Sequence, residues 1–327
     1  MRPGEGAMQA RREILEWARQ GRIAAGGLRR ALELGGALPG ADAWRAFLDR
    51  VFLFLGAALL GAGVIFFFAF NWDEIGRFGK FALAQAPIVA ALAVLWKLDL
   101  DRPAARAALV AAALFAGALF ALIGQTYQTG ADTFELFAVW AAAILPWALV
   151  GRFAVLWIVW LALVNLAASL YFLTFPGVFG LLFSPQAMAW LLFGVNVAAL
   201  AAWEAAATRL AWLRGRWAPR LIVLACGIPV TALAVAALFE SSRTSAWALP
   251  AWLAWIGALY GVYRHVLKDL FMLAAGALSA IVVATTLLSR GLTFRDGGAF
   301  LLLGVAVIGL SAAAGYWLRQ VAREIDA

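Results

Sequence analysis

The sequence predicts an all-α polytopic membrane protein: about ten transmembrane helices arranged as five hairpins, with a short N-terminal cytosolic helical hairpin. Three observations predict this. Hydrophobic residues make up 65% of the chain and charged residues 13%, against roughly 45–50% and 25% in soluble domains. A water-soluble core of 327 residues could not absorb that excess. The apolar residues also come in runs near the length that spans a bilayer, since about 20 residues at 1.5 Å rise cross roughly 30 Å of hydrocarbon. Finally, the basic residues gather on alternate connections between the runs, as topology signals do.

Residues 1–50 differ in kind from the rest, with nine arginines, six acids and no continuous apolar run. Ile14, Leu15, Trp17 and Ala18 share one helical face, with Arg11, Arg12, Glu16 and Arg19 mostly on the other. Gly21 is expected to end that helix, and a second short one around Leu28, Ala31, Leu32 and Leu34 is expected to stop at Gly35 and Gly36. Trp44, Phe47 and Leu48 suggest an interfacial helix lying on the membrane ahead of the first span. About 50 polar-to-mixed residues before the first run are too many for a cleavable signal, so the first span is expected to insert uncleaved.

Spans are expected at 51–70, 79–96, 106–124, 133–150, 153–173, 183–203, 219–238, 246–263, 269–288 and 297–317. The first ends at the polar knot Asn71, Trp72, Asp73 and Glu74. Only Gly151 and Arg152 separate the fourth from the fifth, but one 40-residue run would be about 60 Å long, so a turn near Arg152 is expected. This organisation puts a head at 1–50, a ten-helix domain at 51–318 and a cytosolic tail at 319–327. With the N-terminus inside, 21 of the 26 basic residues fall on cytoplasmic segments and only Arg77, Lys80, Arg243, Arg290 and Arg295 on outer turns. Both termini are therefore expected to be cytoplasmic, in an inner membrane. LFAGALFALIGQ at 114–125 loosely echoes GAGVIFFFAFNW at 61–72, a similarity that either an internal repeat or the common pattern of membrane hairpins would produce.

The net charge of +8 points to topology, not to nucleic acid, because the arginines lie between apolar spans. Cys226 is the one cysteine and His265 the one histidine, which excludes an internal disulfide and a multi-histidine or cysteine-based metal cluster within one chain. Cys226, in an apolar run, reads as a small buried hydrophobe. There is no phosphate loop, Ser-His-Asp set or His-Glu-x-x-His helix. Asp99 and Asp101 sit beside Arg102 in what reads as a solvated loop. No enzyme activity, metal or cofactor is expected.

The polar residues that resist the membrane define the candidate site. The second outer turn carries Gln125, Tyr127, Gln128, Asp132 and Glu135 and no basic residue. A carboxylate at the start of a span is costly unless it meets water, a partner or a polar cavity. The turn can be a cation- or proton-accepting mouth, a site for a small polar ligand, or a solvated turn with Glu135 reaching the headgroups. The first outer turn, with Asn71, Trp72 and Asp73, can be a capped corner anchored by its tryptophan, or a lid whose charges meet the second turn. Within the spans, amides such as Gln85, Asn165 and Asn196 read as interhelical glue. Pro87, Pro146, Pro229 and Pro250 mark expected kinks, and the 16 tryptophans read as an aromatic belt. No span carries a central Asp, Glu, Lys or Arg, which argues against a buried proton relay.

EILEWARQGRI at 13–23, GAGVIFFFAFNWDEI at 61–75 and GQTYQTGAD at 124–132, extending to Trp140, together resemble the bacterial predicted membrane proteins called domain of unknown function 2157. The resemblance covers roughly the first 150 residues. It implies an inner-membrane protein with a short cytosolic head, and it brings no catalytic residue. Its members are often encoded near other membrane proteins, one with a GDYxxLxxR motif, which implies a membrane-protein partner. Two functions are thus expected to compete: a non-catalytic component of a membrane assembly, contacting a partner or extracytoplasmic ligand through turns 71–80 and 124–135, and a transporter or channel for a small polar or cationic solute with a vestibule around Glu135.

Overall fold

A computed structural model describes residues 5–38, 40–70, 76–175, 184–239, 246–292 and 297–326. Among them the chain is helical, and it divides into two compact units, Met1–Leu119 and Phe120–Ala327.

The first unit opens with α1 (Glu5–Arg19) and α2 (Leu28–Leu34), the expected hairpin. Gly21 ends α1 with φ +72°, and the Arg22 N–H returns to the Trp17 carbonyl at 2.9 Å. Gly36, at φ +66°, does the same after α2, a geometry that glycine adopts without steric penalty. Ile14 is the buried apolar contact of α1, and a Cβ on Gly35 would stand only 2.5 Å from its Cδ1. The separate interfacial helix expected around Trp44 is corrected. Those residues form the first turns of α3 (Ala41–Phe70), one 30-residue helix. Nothing in 41–50 breaks a helix, so the segment continues into the span. At about 45 Å it exceeds the hydrocarbon thickness by roughly 15 Å.

α4 (Arg77–Lys97) and α5 (Pro103–Tyr127) follow. Their connection is the expected solvated loop, where Arg106 donates to the Leu100 carbonyl and to exposed Asp101, both at 3.1 Å. α3 comes close to α5 at Gly61, where a Cβ would lie 3.0 Å from Leu114 Cβ, whereas space at Gly63 is open. Gly61→Val is therefore expected to cost roughly 1–2 kcal/mol by overpacking, read as lost thermal stability in detergent, with Gly63→Val close to neutral.

The second unit contains α6 (Thr133–Gly151), α7 (Ala154–Thr174), α8 (Pro185–Arg209), α9 (Trp217–Phe239), α10 (Ala248–Gly261), α11 (Leu270–Arg290) and α12 (Gly297–Asp326). The turn between α6 and α7 falls at Arg152, as expected, in the left-handed conformation (φ 49°). α9 is the central helix, packing on α8, α10 and α11 and burying ten of its residues. Small side chains such as Ala218, Cys226 and Ala234 permit that close approach, and Cys226 is fully buried among apolar neighbours. Pro87, Pro146 and Pro229 lie inside helices. Pro250, in contrast, occupies the first turn of α10, where its missing N–H breaks no bond.

Nine of the described helices, α3 to α9 with α11 and α12, are long and apolar enough to cross a membrane. The span expected at 246–263 takes a different form. α10 has 14 residues and then widens into a π-helical turn, Val262–Val266. At the other end, the expected tail is helical, since α12 runs to Asp326 and carries Glu324 into an ion pair with Arg264.

Candidate functional site

α5 ends at Tyr127 because Gln128 turns left-handed (φ 44°) and Gly130 follows at φ 66°. The chain then straightens through Asp132, the N-cap of α6. Glu135 is the third residue of α6, and its Oε2 accepts the Asp132 N–H at 3.2 Å while the Glu135 N–H bonds the Asp132 carbonyl at 3.0 Å. This is a capping box, in which an acidic pair three apart satisfies the open amides of a helix start and complements its dipole. The D-x-x-E spacing ahead of an apolar run is its sequence signature. Beside it, Phe134 packs edge-on against Tyr171 and Phe175, at ring separations of 5.0 and 5.9 Å.

Four of the expected site residues, Gln125, Gln128, Asp132 and Glu135, line one groove of about 600 Å³ that Phe120, Phe134 and Val139 help to wall. Tyr127 is exposed and does not line it. Asn71, Trp72 and Asp73, the other expected residues, lie outside the described residues, as does Glu74. Polar and apolar side chains line the groove together, and its carboxylates favour a cationic or hydrogen-donating contact.

A second polar constellation, missed in the sequence, joins four segments of the second unit. Arg216 Nη1 donates to both oxygens of Glu204 at 2.9 and 3.0 Å, and its Nε to Asp269 Oδ2 at 3.1 Å. Arg220 holds both oxygens of Asp269 at 3.2 Å, and the Tyr263 hydroxyl donates to Glu204 at 3.0 Å. The Arg216 guanidinium lies 5.6 Å from the Tyr263 ring centroid, a cation–π distance. Asp269, only 4% exposed, also caps α11 by accepting the Phe271 N–H at 3.1 Å. Burial pushes its carboxyl pKa up, but the hydrogen bonds and charges of Arg220 and Arg216 outweigh this and hold it below the usual carboxylate range. A signal for this network did exist. Glu204 approaches the C-terminus of α8 and the two arginines flank the N-terminus of α9, each opposed to its helix dipole and so in need of a partner of opposite sign.

Two groups of polar residues inside the helices satisfy one another. Asn165 and Asn196 exchange amide bonds at 2.6 and 3.2 Å, and each also donates to the carbonyl one turn back at 2.8 Å. The Ser279 hydroxyl lies 2.6 Å from that of Thr231 and accepts the Trp252 N–H at 2.9 Å, linking α9, α10 and α11. The amide-glue expectation holds for Asn165 and Asn196, whereas Gln85 is exposed on α4.

These long apolar helices define a polytopic, all-helical membrane protein in contact with the lipid bilayer. Residues 15–157 match the model of the family described as a predicted membrane protein (DUF2157). No curated protein and no solved structure matches the chain.

Proposed function

We propose that this is a non-catalytic component of an assembly in the bacterial inner membrane, with both termini cytoplasmic. The observation that carries the reading is the division of polar groups. Asn165, Asn196, Thr231 and Ser279 within the helices are consumed by one another, and Glu204, Arg216, Arg220 and Asp269 pair as a network at helix ends. The groove at 120–139 instead presents Gln125, Gln128 and Asp132 outward. A surface of exposed amides and a carboxylate among apolar side chains suits recognition of a partner segment or an extracytoplasmic ligand. The test is affinity purification of the intact protein from native membranes in mild detergent. A membrane protein recovered in stoichiometric amount is expected, and it should be lost with Gln125→Ala/Gln128→Ala. Recovery of the chain alone, or a partner indifferent to that variant, would sink the reading.

The volume of the groove favours one second reading, a vestibule for a small polar or cationic solute. Glu135→Gln separates it from the first. Gln also serves at the third position of a capping box, so the helix start is kept while the charge is removed. A vestibule predicts altered flux in liposomes with unchanged stability, and a contact surface predicts neither flux nor its alteration. Glu135→Ala loses the cap as well and is expected to cost about 1 kcal/mol of stability.

A further inference from the structure

α7, α8 and α9 enclose a cavity of about 270 Å³ next to the turn that joins α8 to α9. Trp157, Trp160, Trp203 and Trp212 line it, together with Leu161, Leu213 and Ile222. Trp160 stacks edge-on against Trp157 at 5.7 Å, and Trp203 fixes the floor by donating its indole N–H to the Leu213 carbonyl at 3.2 Å. Trp157 differs, because its Nε1 is buried and finds no acceptor among the described residues. A buried donor without a partner, on a residue that lines the cavity, marks a missing acceptor.

A second cavity of about 280 Å³ shares Leu161 and Ile222 with the first and extends along the same three helices to Asn165, Asn196 and Pro229. Leu221 and Ile228, exposed at 46% and 71%, form an edge of it, so this second cavity opens toward the acyl chains of the bilayer, and the two cavities follow one another as an apolar track along α7, α8 and α9. From Arg209 to Asn196 along α8 the track covers roughly 20 Å, more than the ~15 Å half-thickness of a hydrocarbon core. The connection at its helix end is basic. Leu210 and Leu213 line the first cavity, and exposed Arg209 and Arg214 adjoin them. Neither arginine forms an ion pair among the described residues, unlike Arg216 and Arg220 nearby.

We propose that this track is a binding site for one phospholipid with an anionic headgroup, its phosphate at Arg209 and Arg214, an ester carbonyl accepting from Trp157 Nε1, and an acyl chain along α7, α8 and α9. Three requirements of such a ligand coincide here: cations at headgroup level, one donor at the depth of the esters, and an apolar channel beneath. Basic pockets between membrane helices are the usual seats of anionic lipids.

The test is lipid retention by the full-length protein, purified in detergent and titrated with phosphatidylglycerol or phosphatidylcholine of identical chains, followed by native mass spectrometry. Preferential retention of phosphatidylglycerol is expected. Arg209→Gln/Arg214→Gln should reduce that preference by about fivefold per charge, the equivalent of ~1 kcal/mol each. Trp157→Phe keeps the ring and loses the donor, so it should weaken both lipids alike by about fivefold, one hydrogen bond. Equal retention of the two lipids by the unmodified protein would overturn the proposal, as would a preference that survives the double arginine variant. Ala206→Leu, which fills the first cavity, should abolish retention. Should that variant fail to fold, the exposed arginine pair still decides the matter. Displacement of the bound lipid by millimolar inorganic phosphate would also overturn it, by assigning the site to a free anion.

Discussion

Asp269→Ala is expected to lower the unfolding free energy by about 3–5 kcal/mol, because removing one partner leaves the other charges of a buried network uncompensated. Arg216 and Arg220 both converge on this carboxylate, whose side chain is 3% exposed. The same residue caps α11, and losing a cap contributes about 1 kcal/mol within that total. Asp269→Asn keeps the shape and can still cap, so it isolates the electrostatic part and should be the milder of the two. Asp101→Asn is the control. That carboxylate also pairs with an arginine, Arg106, but is 99% exposed, and an exposed pair contributes only about 0–1 kcal/mol. The measurement is thermal or denaturant unfolding of the detergent-solubilised protein. Equal effects of Asp269→Ala and Asp101→Asn would show that the network carries no weight in the fold.

The pH dependence follows with its sign. The folded Asp269 carboxyl lies below its ordinary value, so the folded state favours the ionised form. The stability it contributes is fully present above the unfolded value of about 3.9, and is lost as pH falls through the folded value. Stability should therefore be flat in this respect near neutrality and decline below about pH 4, and Asp269→Asn should remove that part of the decline. An acid limb unchanged in Asp269→Asn would assign the decline to other carboxylates.

What was legible in the sequence was whatever depends on neighbours along the chain. The run at 51–70 lies within α3, the turn at Arg152 separates α6 from α7, and Gly21 and Gly36 stop the two helices of the head. Each reflects a local rule: span length, the limit on an uninterrupted helix, or the φ freedom of glycine. The capping box of Asp132 and Glu135 is equally local, an acid at the helix start followed by another three residues on, although the same two carboxylates also suit a cation-accepting mouth. The ionic network was not legible in the same way. Asp269 meets Arg216 across 53 residues and Tyr263 meets Glu204 across 59, and such pairs exist only once α8, α9 and α11 are known to be neighbours. Charge counting treated Arg216 and Arg220 as markers of membrane side, a role fully compatible with pairing but silent about it. The π-turn at Val262–Val266 is likewise tertiary in origin. It delivers the Tyr263 carbonyl to the Asp269 N–H at 3.0 Å and so sets the cap that the arginines engage.

Asn165 and Asn196 carry the other large expected effect. Asn196 is fully buried, and both hydrogens of each amide are already used, one across to the partner and one to the carbonyl a turn behind. Asn196→Leu removes one side and leaves the Asn165 amide short of partners in an apolar setting, which is expected to cost about 1–3 kcal/mol. The double variant Asn165→Leu/Asn196→Leu removes both polar groups together and should be nearer the unmodified protein than the single-variant costs would sum to. In membrane helices such pairs couple by about 0.6 kcal/mol on average and up to ~1.7, and a doubly bonded pair should lie toward the upper value. Additive losses would show that the amides act independently, each sufficiently satisfied by its own helix carbonyl. Positive coupling would instead make the pair an orientation device. Two amides that match only in one rotation of α7 against α8 select that packing over the many that leucine alone would allow, and the same rotation places Leu161 and Asn165 on the apolar track beside Ile222. Loss of the pair should then weaken lipid retention along the track even though neither amide touches the headgroup.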